Sequence, residues 1–372
     1  MTFEFSEADQ RFMDRALTLA ARGLYSTMPN PRVGCVLVKG GEVVGEGWHE
    51  RAGSAHAEVH ALRDAGAAAR GATAYVTLEP CSHTGRTLPC ADALVKAGVA
   101  RVVAAMQDPN PLVSGQGLAR LRDAGIAVAV GLREREAREL NIGFISRMTR
   151  ARPWMRSKIA MSLDGRTALG NGASQWITGT EARTDAHRWR ARSCAMLTGL
   201  GTVRKDDPAL TVRLVESVRQ PIRIVVDNHL ETPLDARVLA GGNAWLLTVC
   251  EDAARARPYQ DRGVEVVVLP ACANGRLDFS AMVRVLGERG LNEVTVEAGS
   301  RLNGPLLEAG VFDEFVFYVA PTLLGEGAAG VMAIQPLTDL SQRFDLDVIS
   351  VTPVGRDWRI VARNKTSSGG TA

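Results

Sequence analysis

Long apolar runs are missing from this sequence: no stretch approaches the roughly 20 residues that a membrane-spanning helix needs. The first residues carry Glu4, Glu7 and Asp9 where a secretory leader would have a basic segment and an apolar core. Together these absences set a cytoplasmic expectation. Cysteine is scarce, with six in 372 residues, too few for a disulfide scaffold. In a reducing compartment, closely placed cysteines bind metal or catalyse. Aromatic residues are only 5% of the chain, the formal net charge is only +3, and no run of five like charges occurs. That does not point to the basic, aromatic-interleaved surface of a nucleic-acid binder, while a small positive balance suits small anions such as phosphates. There is no internal repeat. No Gly-x-Gly-x-x-Gly follows an early strand of the second half, so the ordinary dinucleotide fingerprint is also missing.

What is present reads as an α/β protein of two domains. Ser6 and Asp9 form a capping-box start for a helix whose Phe12, Met13, Ala16, Leu17 and Ala20 recur at helical spacing. Val33 to Val38 and Val43 to Trp48 form a hairpin about Lys39-Gly40-Gly41-Glu42. Helices near residues 55–69, 91–97 and 118–124 then alternate with strands near 74–78, 99–105 and 126–130. One charged helix is expected over Leu132 to Met148, and the boundary falls at Arg150-Ala151-Arg152-Pro153. The second half restarts with a strand at Trp154 to Met161 and a helix at Glu181 to Ser193. Further strands are expected at 195–197, 222–226, 244–249, 264–269, 293–297 and 315–319. The domains are accordingly 1–149 and 150–364, with a Ser/Gly/Thr-rich tail, 365–372, expected to be disordered. Cys35, Cys194, Cys250 and Cys272 sit in apolar contexts and read as buried small hydrophobes.

The remaining two cysteines are different. Cys81 follows Pro80 after a strand, Cys90 follows Pro89 at a helix start, and His56-Ala57-Glu58 opens the second helix. One imidazole and two thiolates suit zinc, and three protein ligands leave the fourth tetrahedral position open to water, as catalytic sites require. Helix N-termini favour thiolate over thiol. A bound zinc lowers the pKa of water to about 7. Glu58 is then the proton shuttle from water to a ring nitrogen and on to leaving ammonia. His-x-Glu with Pro-Cys and a second Cys is the zinc-deaminase signature, which usually sets roughly two residues between its cysteines. Here eight residues intervene, Ser82 to Pro89. The alternative is a structural zinc site, which would want a fourth protein ligand. His83 is the nearby candidate, and it reads instead as a substrate contact.

Several segments carry a closer likeness: residues 29–36 (Pro-Asn-Pro-Arg-Val-Gly-Cys-Val), His56-Ala57-Glu58, and Glu79 through Cys90 with its Ser82-His83-Thr84-Gly85-Arg86 loop. It continues through residues 158–165 (Lys-Ile-Ala-Met-Ser-Leu-Asp-Gly), residues 174–179 (Ser-Gln-Trp-Ile-Thr-Gly), Gly201-Thr202-Val203, Asp206 through Arg213, and Glu297-Ala298-Gly299. In these the chain resembles the bifunctional riboflavin-biosynthesis family. That family joins a diaminohydroxyphosphoribosylaminopyrimidine deaminase to a 5-amino-6-(5-phosphoribosylamino)uracil reductase. The long cysteine spacing is the spacing this family shows. The resemblance implies an N-terminal, three-layer cytidine-deaminase-like domain and a C-terminal dihydrofolate-reductase-like domain. It implies one zinc ion in the first and NADPH in the second, and phosphorylated ribosylaminopyrimidine substrates. It also implies a homo-oligomer; charge, composition and the shortness of the apolar runs set the expectation of neither nucleic acid nor membrane as partner. Cys194 departs from the pattern, standing where the family usually has an Asp.

Carried over residue by residue, the resemblance implies that Ala160, Trp176, Thr202, Asp206, Asn228 and the loop Gly299, Ser300, Arg301, Leu302, Asn303, Gly304 and Pro305 face the cofactor. Arg301 is offered to its 2′-phosphate. A helix is expected to open near Leu306, so that this glycine-bearing turn presents N–H groups to phosphate; by itself it reads equally as a tight turn. Substrate contacts are implied for Asn30, His49, His83, Ser174, Arg190, Leu210, Arg213 and Glu297. Arg190 and Arg213 suit phosphate because a guanidinium fork binds its oxygens in pairs. Plainer alternatives stand beside these: a turn residue for Asn30, a solvated strand end for His49, a core residue for Trp176, solvated surface for both arginines. Two other functions compete for the whole chain. One is a nucleic-acid-editing deaminase with a binding module, disfavoured by charge and composition; the other is a zinc-stabilised scaffold, which predicts four protein ligands.

Overall fold

The computed structural model describes residues 4–82 and 88–365. His83 and the tail 366–372 therefore lie outside the described residues. The chain divides into two compact units, Met1–Ala151 and Arg152–Ala372.

In the first unit, helix α1 (Glu7–Arg22) opens on the expected capping box. Asp9 N–H donates to Ser6 Oγ at 3.1 Å and Ser6 N–H to Asp9 Oδ2 at 3.0 Å. The hairpin β1 (Gly34–Lys39) and β2 (Glu42–Trp48) follows, then α2 (Ala57–Ala65), β3 (Thr73–Val76), α3 (Cys90–Ala97), β4 (Arg101–Ala104), α4 (Gln116–Asp123) and β5 (Ala127–Val130). The sheet order is β2-β1-β3-β4-β5, with β1 antiparallel to both neighbours and the pairs β3–β4 and β4–β5 parallel. Side chains alternate across β1, as strand geometry demands. Cys35 and Leu37 enter a core with Ala61, Leu94 and Leu121 from α2, α3 and α4, while Val36 and Val38 enter another with Met13 and Ala16 from α1. Two buried faces on one sheet make the unit three-layered.

The charged helix expected over Leu132 to Met148 is instead two, α5 (Glu134–Leu140) and α6 (Ile142–Arg150). The break is Asn141, which is 1% exposed. Its Nδ2 donates to Arg32 C=O at 2.9 Å and its Oδ1 accepts from Arg32 N–H at 2.8 Å. This side chain satisfies both backbone groups of a residue just before β1, and the helix yields to it.

The second unit is built on β6 (Trp154–Ser162), β7 (Arg166–Ala168), α7 (Thr180–Arg192), β8 (Ala195–Gly199), α8 (Leu200–Asp206), β9 (Ile222–Val226), β10 (Ala244–Thr248), α9 (Ala253–Gln260) and β11 (Glu265–Val268). These continue into α10 (Phe279–Glu288), β12 (Glu293–Val296), α11 (Ser300–Glu308), β13 (Glu314–Ala320), β14 (Ala329–Gly330), β15 (Leu346–Val354) and β16 (Asp357–Asn364). Nine strands form one sheet in the order β11-β10-β9-β8-β12-β6-β13-β16-β15. It is parallel from β11 to β13 and antiparallel at β16 and β15. Strand β12 lies between β6 and β8, where the chain reverses its progress across the sheet. Such switch points are where open parallel sheets bind ligands, at the carboxyl ends of the strands.

The closing hairpin β15–β16 is not foreshadowed in the sequence. Its exposed Val348, Ile349 and Val351 break the alternation of a half-buried strand, and Pro353 marks an edge. The cysteines also need correction. Cys35 and Cys194 are buried, but Cys250 is half-buried and Cys272 exposed. Cys194 sits just before β8, where its Sγ accepts from Asn292 N–H at 3.2 Å. That is the opposite end of the strand from Gly199, so the departure from Asp does not reach the strand end where a cofactor loop would lie. No helix among the described residues is long and apolar enough to cross a membrane.

Replacing Asn141 with Ala strands two buried backbone groups, each costing about 1–3 kcal/mol when unpaired. Urea unfolding of Asn141→Ala should show a loss of at least about 2 kcal/mol in the transition of the first unit; an unchanged midpoint contradicts the role given to this side chain.

Candidate functional site

The first site gathers at the carboxyl ends of β2 and β3. His56 is the N-cap of α2 and Cys90 the first residue of α3, while Cys81 lies in the loop between β3 and α3. His56 Nδ1 is 3.3 Å from Cys90 Sγ and 3.6 Å from Cys81 Sγ. The three ligand atoms all lie within 4.8 Å of one another. Zinc bonds of about 2.0 Å to nitrogen and 2.3 Å to sulfur in a tetrahedron set such atoms about 3.5–3.8 Å apart, so the donor set fits the ion. Among the described residues no fourth such ligand joins the group. The Cys90 backbone N–H at the start of α3 donates to Cys81 Sγ at 3.3 Å, which favours a thiolate there. Hydrogen bonding with Cys90 lowers the Cys81 thiol, and the same contact with burial raises that of Cys90.

Glu58, in the first turn of α2, is 3% exposed. Burial, reinforced by the Cys81 thiolate, pushes its carboxyl up to about 7. A group poised there can both take and return a proton near neutrality. Next to His56, Asn30 Nδ2 lies 3.1 Å from His49 Nε2, and His49 Nδ1 lies 3.1 Å from Ala55 C=O. His49 therefore donates through Nδ1 and accepts through Nε2. It is 3% exposed, which removes the solvated strand-end alternative, and its ring stands edge-on to His56 with centroids 5.5 Å apart.

Glu79, which sequence reasoning passed over, fixes the loop that carries Cys81. Its carboxylate accepts from the N–H groups of Asp108, Gly115, Gly117 and Leu118 at 2.8–3.3 Å. Charge-assisted bonds from a helix start are strong ones. They draw α4 so close that a Cβ on Gly117 would lie 1.9 Å from the Pro80 carbonyl oxygen. The only signal in the sequence was an acidic residue adjoining Pro80-Cys81.

In the second unit two strand-to-helix turns meet at the ends of the adjacent strands β8 and β12. Gly199 caps α8 and Gly299 caps α11, and Gly299 N–H donates to Thr202 Oγ1 at 3.3 Å. Helix α11 begins at Ser300 rather than near Leu306, so Ser300 through Pro305 are helical. Only its first turn can present N–H groups. Asn303 is buried and bonds Ala298 C=O, and a Cβ on Gly304 would lie 2.1 Å from the Ala333 carbonyl oxygen. These two residues, placed toward the cofactor from sequence, face the interior. Ala160 on β6 and Ser174 are half-buried, and Asp206 at the end of α8 is exposed. Trp176 is 68% exposed beneath the Arg183 guanidinium, 4.6 Å from its ring centroid, so it is not a core residue.

Arg190 was expected to offer a free fork to phosphate. Its fork is instead taken by Glu297, at 2.7 and 2.8 Å, with a third bond to Thr211 C=O at 3.0 Å. Leu210 is likewise corrected: its side chain is 2% exposed within a core cluster, leaving only main-chain atoms for a ligand. Arg213 keeps an exposed guanidinium that bonds Thr211 Oγ1 at 3.0 Å. Two further residues complete this cluster. Lys158 Nζ is 3.8 Å from Glu297, and His187 Nδ1 accepts from Arg213 N–H at 2.9 Å. Burial would raise Glu297, but Arg190 and Lys158 hold it ionised, well below the usual carboxylate range. Burial, with Arg190 and Arg213 nearby, pushes His187 down to about 4, so it stays neutral. His187 stands three residues before Arg190 on α7, a spacing that shares one helix face and could have flagged it.

Residues 6–106 match the family described as the cytidine and deoxycytidylate deaminase zinc-binding region, and residues 153–360 match the RibD C-terminal domain. The riboflavin biosynthesis protein RibD of Escherichia coli is 49% identical over 362 residues, 94% of this chain and 97% of that protein. The chain belongs to the RibD family. RibD of Haemophilus influenzae is 47% identical, covering 96% of this chain and 98% of its own. An Acinetobacter baumannii RibD structure superposes with a TM-score of 0.90 at 42% identity, covering 96% of this chain and 99% of that one. A Thermotoga maritima structure, titled a diaminohydroxyphosphoribosylaminopyrimidine deaminase and 5-amino-6-(5-phosphoribosylamino)uracil reductase, has a TM-score of 0.86 at 35% identity and the same coverages. As a RibD protein, the chain is a bifunctional enzyme of riboflavin biosynthesis with deaminase and reductase activities. Its first unit has the cytidine-deaminase-like fold and its second the dihydrofolate-reductase-like fold, and its cofactors are zinc and NADPH.

Gly117→Ala pushes α4 off the Pro80 carbonyl and with it the Cys81 loop. Zinc affinity should fall by about 10–100-fold, as for other losses of ligand support, in competition with a chromophoric chelator. Wild-type affinity in this variant contradicts the anchoring role.

Proposed function

We propose that the first unit hydrolyses the exocyclic amine of 2,5-diamino-6-(5-phosphoribosylamino)pyrimidin-4-one. In our reading, the second unit then reduces the ribosyl group of the product to give 5-amino-6-(5-phosphoribitylamino)uracil. The observation that carries the proposal is the His56, Cys81 and Cys90 donor set with the buried carboxyl of Glu58 two residues beyond His56, in the first turn of α2. The name of the Thermotoga maritima protein supports the substrate assignment. When bound, zinc acidifies water to a nucleophile at neutral pH, and NADPH carries two electrons and a hydrogen to carbon.

Glu58 takes the proton of the attacking water, gives it to the ring nitrogen, and assists the departing amine as the carbon–nitrogen bond breaks and ammonia leaves. Asn30, held by His49, turns its remaining amide oxygen toward the ring or ribose edge of the substrate. His83 is assigned a substrate contact from the sequence alone. In the second unit, the Arg190–Glu297 pair, with Lys158 and His187, forms a buried polar wall that orients the ribosyl chain. Arg213 contributes the exposed fork for its phosphate, with Ser174 and the Leu210 main chain alongside. Thr202, Asp206, Ala160, Trp176, Asn228 and the first turn of α11 hold the cofactor.

We place the enzyme in the cytoplasm, where NADPH and phosphorylated intermediates are found, and without a nucleic-acid or membrane partner. We also propose that it self-associates. Edge strand β15 leaves Val348, Ile349 and Val351 at least half exposed beside an unpaired ladder, a surface that a second copy would cover.

Glu58→Gln should keep its zinc, lose ammonia release by a factor of about 100 or more, and still oxidise NADPH on the pre-deaminated substrate. Ammonia release at the native rate overturns the assignment of the shuttle. Light scattering should give at least a dimer, and Val351→Lys should shift it toward monomer; a monomeric wild type refutes self-association.

A further inference from the structure

Arg213 stands on a stretch of chain that neither helix nor strand supports, between α8 and β9. Side chains hold that stretch instead. Arg190 Nη1 donates to Thr211 C=O at 3.0 Å. Gln220 spans Val212, its Oε1 accepting from the N–H at 2.7 Å and its Nε2 donating to the C=O at 3.1 Å. His187 Nδ1 then accepts from Arg213 N–H at 2.9 Å. Consecutive main-chain groups, from Thr211 C=O to Arg213 N–H, are thus each met by a side chain from elsewhere. Gln220 and Arg213 are themselves exposed, so water could have satisfied the groups nearest the surface. What the side chains add is a fixed position.

Both ends of the stretch are anchored as well. It begins at Leu210, whose backbone lies at φ 51°, a region that side chains rarely tolerate unless the surroundings impose it; here the buried side chain does so. Past Arg213 the chain turns outward, with Leu214 and Val218 exposed, and returns at Arg219. Arg219 donates to the carbonyls of Ser193, Ala191 and Arg192 at 2.9, 3.1 and 3.3 Å. These lie at the end of α7, where helix carbonyls lack partners and a cation is favoured. One helix therefore grips the loop at two places: through Arg190 and His187 on its body, and through its last carbonyls. The Gln220 amide closes the neck between them.

We propose that Gln220 is a positioning residue of the reductase, acting with His187 and Arg219: by clamping Val212 it fixes the main chain beneath Arg213, so that this guanidinium meets the phosphate of the substrate. Both atoms of the Gln220 amide are spent on Val212, and its effect passes through that one residue. His187 has to stay neutral to accept from Arg213 N–H, and burial beside Arg190 and Arg213 keeps it so. A guanidinium binds phosphate through paired N–H groups, which makes the contact sensitive to placement. A loose loop would also have to be ordered each time a substrate bound, at a cost in affinity. This inference rests on the reading of Arg213 as the phosphate fork.

Reductase kinetics of the full-length zinc-loaded enzyme with NADPH test it, using the deaminated substrate with its phosphate and the same compound after dephosphorylation. Wild type should favour the phosphorylated form in kcat/KM, and Arg213→Ala should remove most of that preference. Gln220→Ala should cut the preference about tenfold, as for a lost charge-assisted contact, by raising KM for the phosphorylated form while kcat holds. The dephosphorylated form should be turned over as by wild type. Gln220→Glu, which can still accept from Val212 N–H, should recover part of the loss. In the Arg213→Ala background, Gln220→Ala should add nothing, because the two act as one unit. Circular dichroism checks each fold, and Gln220→Met, similar in size without the amide, replaces the Ala variant if that fails. Equal losses on both substrates, or a loss that adds to that of Arg213→Ala, overturn the positioning role and leave Arg213 as the fork. An unchanged phosphate preference in Arg213→Ala overturns the fork and this inference with it.

Discussion

Parallel strands cannot be joined by a tight turn, so each must be followed by a crossover, here a helix, that carries the chain back. Helix N-termini therefore collect along one edge of such a sheet, together with their unpaired N–H groups and partial positive charge. Both active centres of this protein grow from that constraint. In the first unit it brings the starts of α2, α3 and α4 together. The first supplies His56 and Glu58, the second supplies Cys90 and an N–H for Cys81, and the third is held against the Cys81 loop by Glu79. In the second unit it sets the caps of α8 and α11 side by side at the ends of β8 and β12.

The metal-binding geometry was legible because its parts are chemically rare. A histidine, a glutamate and a cysteine at helix starts, with a second cysteine just after a strand, have few other uses in a chain with six cysteines. The three-layer order of the first unit came only with the family resemblance, because β1 is buried on both faces and shows no period-two alternation; the α/β character of the second unit was legible through its short apolar, β-branched runs. Asn141 was not, because its role depends on Arg32, more than a hundred residues away. Glu79 and His187 were hidden for the same reason: each bonds backbone groups brought near only by folding. Leu210 and Gly304 show the converse. A motif marks them, but their side-chain positions serve packing.

The two halves also use charge differently. Beside His56, Cys81 and Cys90 the buried Glu58 carboxyl is pushed up to about 7, which suits a site that must move protons. Around Glu297 the balance is fixed: Arg190 and Lys158 keep the carboxylate ionised, and burial with Arg190 and Arg213 keeps His187 neutral, an arrangement suited to orienting a substrate. The contrast follows from what each region must do: shuttle or orient.

Everything in the first unit depends on three protein ligands and one remaining coordination position. Zinc-edge X-ray absorption on the metal-loaded protein measures this directly. The structure predicts two sulfurs at about 2.3 Å, one imidazole nitrogen and one light atom at about 2.0 Å, with the light atom exchanging for a small anionic inhibitor. A second imidazole or a third sulfur in that shell would contradict it.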